Sequence, residues 1–159
     1  MKENIQMTRS IYYLIVGLCA TIIMSNSIET IIKVKDSGLF DLWLSNPNLN
    51  VDKIGQTKEQ LYSIYLSMCL SVFVIRIITP IALAINSYFS FIKLRVNKLF
   101  VSIWVVLLIG LFAFTSLGET YYSIFFILSG VCYVSLVFVL LYLGSEISKQ
   151  KNKNINKRT

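Results

Sequence analysis

Histidine is absent from the 159 residues. With it go the commonest metal ligand and the commonest proton carrier at neutral pH. Charge is scarce as well: 14% of residues are charged, against about 25% in soluble domains. Acidic residues are the rarer sign, eight against fifteen basic, for a net charge of +7. No carboxylates cluster at catalytic or ligand spacing, no Gly-rich phosphate loop or CxxC pair occurs, and no serine has a candidate base beside it. The three cysteines, Cys19, Cys69 and Cys132, fall in different apolar runs. An odd number so placed makes no disulfide framework, and they read as small apolar fillers. The expectation is a non-enzymatic protein with no cofactor and no metal.

What is present is apolar, 55% of the chain. A soluble chain this short has no interior large enough for that much apolar surface, so lipid is the expected solvent. Four runs reach the roughly 20 apolar residues that a membrane helix needs: about 11–32, 61–92, 99–117 and 121–143. The expected fold is all-α, an integral membrane four-helix bundle over residues 1–146, with an outer loop at 33–60 and a basic, unstructured tail at 147–159. The tail's Lys149, Lys151, Lys153, Lys157 and Arg158 suit anionic lipid headgroups, which accounts for the basic excess without a nucleic-acid partner.

Lys and Arg set the direction of the spans. Ten lie on one side, at Lys2, Arg9, Lys93, Arg95, Lys98 and the five tail positions. Four lie on the other, at Lys33, Lys35, Lys53 and Lys58. Both termini are therefore expected in the cytoplasm of a multi-pass cell-membrane protein. Tyr12 and Tyr13 near one face, and Trp43, Tyr62, Tyr121 and Tyr122 near the other, suit interfacial anchors. The first run also reads as a cleavable signal peptide, with the small-x-small SNS at 25–27. Its apolar character continues through Ile31 and Ile32, which favours an uncleaved span.

The second run holds the one charge deep in an apolar segment, Arg76, in SVFVIRIITPIAL. Pro80 follows four residues later and, lacking an N–H, removes the helical partner of the Arg76 carbonyl. The Thr79 hydroxyl is one candidate to replace it. At 100° per residue, Tyr62, Tyr65, Cys69, Arg76, Thr79, Ser87 and Ser90 share a stripe that should face protein. TKEQ at 57–60 reads as a capping box just ahead of the run. On the first helix Gly17, Thr21 and Ser25 form a small-residue ridge suited to close packing, ending at Glu29. Glu29 can meet Arg76 across helices or Lys33 along its own helix. Glu119, in the turn before the fourth run, is a second candidate partner of Arg76. GLFDLWL at 38–44 suits a short interfacial helix or a lid over the second helix, with a protein-binding surface as the alternative.

The segment INSYFSFIKLRVNKLFVSIW, 85–104, resembles a small four-span bacterial membrane family of unknown function, often encoded beside helix-turn-helix regulators. Phe91, Val96, Lys98, Leu99, Ile103 and Trp104 lie on that family's pattern, and Asn97 stands where it has a basic residue. The resemblance implies a layout with one long outer loop and short remaining connections, and a regulatory neighbour. The function expected is an interaction, accessory or immunity-type partner of another membrane protein or of itself. The alternative is a small oligomeric transporter or channel with Arg76 lining the path. An Ile-, Lys- and Asn-rich composition suits an AT-rich bacterial genome.

Overall fold

A computed structural model describes residues 7–46, 55–93, 96–117 and 123–155, the side chains of 150–155 excepted. All elements among them are helices: α1 Arg9–Lys35, α2 Ser37–Ser45, α3 Lys58–Ile92, α4 Lys98–Leu117 and α5 Ile124–Ile155. α1, α3, α4 and α5 are each long and apolar enough to cross a membrane. α1 packs on both α3 and α5, and α4 packs on α5 and α3, so every long helix has two long neighbours.

Polar side chains mark where the helices start. The α3 start is the expected capping box: Gln60 N–H donates to the Thr57 hydroxyl, and Thr57 N–H to the Gln60 side chain. Asn97 opens α4 by accepting from Phe100 N–H at 2.8 Å, and Ser123 opens α5 by accepting from Phe126 N–H at 3.0 Å. Asp36 ends α1 and starts α2, its side chain accepting from Gly38 N–H.

Two expectations are corrected here. The fourth helix does not end near Leu143, and 147–155 is not unstructured: α5 runs on to Ile155. Ile147, 2% exposed, ties the extension to the core, and the following Ser, Lys, Gln and Asn residues contain no proline to stop a helix. The small-residue ridge is not a packing seam either. Gly17 is exposed with open space where a Cβ would stand, and the Thr21 hydroxyl donates to the Gly17 carbonyl of its own helix. α1 instead buries Ile15, Cys19, Ile22, Ser25, Asn26 and Glu29, so of the ridge Ser25 is buried, Thr21 half-buried and Gly17 exposed. Close approach occurs between α4 and α5. A Cβ on Gly144 would stand 3.2 Å from Val101, and one on Gly130 would stand 3.2 Å from Phe112.

The main core fills the half of the molecule nearest Arg9, Lys93, Lys98 and Lys149, here termed the basic end. Leu83, Leu108, Leu136 and Leu140 are fully buried there, beside Trp104 and Leu143. Tyr12 stacks on Phe91 at 4.7 Å, locking α1 to α3 at that end. A second, smaller cluster lies at the far end, where α2 sets Phe40 against Leu61 and Tyr65 of α3, with Trp43 packed alongside.

Candidate functional site: a buried ion cluster below an open cavity

Four helices meet at Arg76. Its side chain is 6% exposed, and its guanidinium lies 3.2 Å from Glu29 Oε1 on α1. A second N–H donates to the Thr115 carbonyl on α4 at 3.3 Å, and the Phe126 ring of α5 lies 5.1 Å from the guanidinium carbon. Lys33 Nζ sits 2.7 Å from the same Glu29 oxygen. The two pairings open to Glu29 therefore occur together, two cations sharing one carboxylate oxygen. Glu29 itself is 2% exposed. Helix periodicity produces this geometry, because Glu29 and Lys33 are one turn apart on α1 and Arg76 projects from the antiparallel α3.

The backbone defect has a partner that sequence reasoning missed. Tyr133, 4% exposed on α5, donates its hydroxyl to the Arg76 carbonyl at 2.9 Å. That is the carbonyl Pro80 cannot serve, so Tyr133 and not Thr79 supplies the replacement; Thr79 is half-buried. Its one sequence signal is a polar aromatic in the middle of a span, where a buried hydroxyl needs an acceptor. Read as packing alone, that aromatic gave no hint of which carbonyl it served. The stripe on α3 does face protein at Tyr65, Arg76, Ser87 and Ser90, all buried.

The cluster marks a level in the molecule. At ~1.5 Å per residue, Glu29 stands ~30 Å from Arg9, Arg76 ~26 Å from Lys93 and Thr115 ~26 Å from Lys98. Arg76 therefore lies about one hydrocarbon thickness, ~30 Å, from the basic end. α4 stops two residues past Thr115, and α5 begins two before Phe126. α3 continues, with 18 more residues back to Lys58, as does the last turn of α1. Central in the sequence of its run, Arg76 sits at the far edge of the layer that all four helices share.

Beyond that level α1, α2 and α3 build a shelf. Tyr65 and Tyr62 donate their hydroxyls to the Lys33 and Val34 carbonyls at 2.8 and 2.9 Å, satisfying the open end of α1. α2 crosses above, as a lid over the start of α3. Between lid, α3 and the end of α4 is a half-enclosed cavity of about 840 Å³, with Arg76, Lys33 and Thr115 in its wall. Trp43 and Leu39 line it from α2, and Met68, Val72 and Ile75 from α3.

The remaining expected residues are accounted for briefly. Glu119, Tyr121, Tyr122, Lys157 and Arg158 lie outside the described residues, as do the side chains of Lys151 and Lys153. Lys149 is exposed and pairs with Glu146 at 3.1 Å. Among the described residues no group of His, Cys, Asp and Glu could hold a metal ion. No family model, curated protein or solved structure matches the chain.

Proposed function

We propose that this chain is a four-helix integral membrane protein with both ends in the cytoplasm, acting as a non-enzymatic partner of another membrane protein in an accessory or immunity-type role. The basic end then lies inside, by the excess of Lys and Arg, and the shelf of α2 and outer α3 lies outside. One observation carries the reading. Leu70 and Val74 are each 53% exposed on the part of α3 that extends past the Arg76 level, on the face turned away from the cavity. Side chains of this kind, about 35 and 28 Å from Lys93 and so at the outer boundary of the hydrocarbon where headgroups begin, suit the surface of a neighbouring protein. On the inner side the tail, from Lys149 through Lys151, Lys153, Lys157 and Arg158, contacts anionic headgroups.

The test is a photo-crosslinking amino acid placed at Leu70 or Val74 in cells, with Ile109 and Val131 as controls on spanning segments. A discrete protein adduct at the first pair and lipid alone at the controls is expected. Lipid alone at all four positions overturns the reading. The second reading, a transport path lined by Arg76, is favoured by the position of Arg76 in the cavity wall. Against it, Leu83, Leu108, Leu136 and Leu140 are buried to 0% exposure on the inner side and fill the route a monomer would use. Arg76→Ala abolishing flux in vesicles while assembly stays normal would select that second reading.

A further inference from the structure

The cavity beneath α2 is distinct from the Leu70 and Val74 face, and its chemistry points to an occupant of its own. Its volume, about 840 Å³, falls within the ~300–1,000 Å³ range of small-molecule sites. At ~1.5 Å per residue, Val72 and Met68 in its wall stand ~32 and ~38 Å from Lys93. The cavity therefore extends away from the basic end, starting at the hydrocarbon boundary, and its occupant is not a chain packed among lipid chains. Its lining has two parts. At the Arg76 level the Arg76 guanidinium and the Lys33 ammonium place two cationic groups in the wall. The rest is apolar and rich in rings, with Trp43 from the lid, Phe73 from α3 and Phe114 from α4. Rings of this kind receive a flat aromatic ligand by offset or edge contacts. An ammonium and a guanidinium each carry several N–H donors, so both can keep Glu29 and hold a second acceptor. The planar guanidinium fork matches a carboxylate, and an ion pair behind apolar walls is stronger than the same pair in water.

We infer that this cavity binds a small aromatic carboxylate, its carboxylate against Lys33 and Arg76 and its ring under the α2 lid beside Trp43. The carboxylate oxygens accept from the two cations, which keep Glu29 as a shared neighbour. The ring then points away from the basic end, where α2 and α3 cover it in place of water. Entry from the outer aqueous phase rests on the four-span reading proposed above; the binding itself does not.

Trp43 and Trp104 are the two tryptophans. Trp104 is buried in the main core, so Trp104→Phe leaves one reporter at the cavity. The full chain carrying that change is titrated in mild detergent with para-iodobenzoate, whose iodine quenches indole on contact. The expected result is saturable quenching, with half-saturation about tenfold weaker for Lys33→Gln, the loss of one charge-assisted hydrogen bond. Val72→Phe, which fills part of the cavity and leaves both cations, is expected to remove saturation. The neutral para-iodobenzamide, with the same ring and no carboxylate, is expected to quench without saturating. Quenching by para-iodobenzoate that rises without saturation, or saturation reached equally by the amide, overturns the inference. So does a half-saturation that Lys33→Gln leaves unmoved. A discrete protein adduct from a photo-crosslinking amino acid at Met68 in cells also overturns it, giving the cavity to a protein instead. Adducts at Leu70 and Val74 are measured separately, so loss of either result leaves the other standing.

Discussion

Glu29 holds two cations with one oxygen, and the two contacts differ in worth. Arg76 is 6% exposed and Lys33 is 16% exposed. Removing one member of a buried pair strands the other, at a cost of about 3–5 kcal/mol, whereas more accessible pairs contribute about 1 kcal/mol or less. Glu29→Gln should therefore lower stability in detergent by about 3–5 kcal/mol, and Lys33→Gln by about 1 kcal/mol, read from unfolding midpoints. The exchange of Arg76→Glu with Glu29→Arg should express better than either single change; equal expression of all three would remove the pairing as a determinant. The Arg76 carbonyl gives a sharper test. Tyr133→Phe leaves it buried and unserved, a loss of about 1–3 kcal/mol. Adding Pro80→Ala returns an N–H four residues on, so Tyr133→Phe should cost less in that background than alone. Equal losses in both backgrounds would mean that the hydroxyl stabilises by another route.

Among the elements, the contrast between α1 and the α4–α5 pair is instructive. Small residues at steps of four on α1 read as a seam, but the seam belongs to glycines that show no such spacing within one helix. Spacing identifies which residues share a face and is silent on which face meets a neighbour. Gly17→Leu should leave the midpoint unchanged, because a Cβ there meets nothing within 4 Å. Gly144→Leu should lower it by about 1–3 kcal/mol, the usual cost of overpacking, because Val101 is 3.2 Å from the first added carbon. Reversed ranking would place the close approach on α1. α3 was more legible: its capping box, its excess length and its buried stripe follow from local pattern. Tyr133 was not, because its role depends on a carbonyl 57 residues away, supplied by another helix.

For the whole molecule, composition alone was enough to reach four apolar helices, since burial by lipid leaves a one-dimensional signal. The pairing of helices is not one-dimensional. α1 touching α5 follows from three-dimensional packing that no run length encodes. Sidedness is a charge argument, and it has its own measurement. With Cys69→Ser as background, Leu42→Cys should react with an impermeant thiol reagent in intact cells, and Lys149→Cys only after permeabilisation. Cys19 and Cys132 are buried and stay silent. Labelling of Lys149→Cys in intact cells would invert the orientation.

The proline gap in α3 is closed from α5, which follows both α3 and α4 in the chain. In a chain threaded into a bilayer helix by helix, as proposed here, the second long helix would enter with one carbonyl unserved and an arginine that needs its acid from α1. The acid would already be present, since α1 precedes it, but the hydroxyl arrives only with α5. Until then the first two spans form an incomplete hairpin that gains by lingering beside the insertion machinery, and a chain cut short before α5 should be recognised and degraded as unfinished.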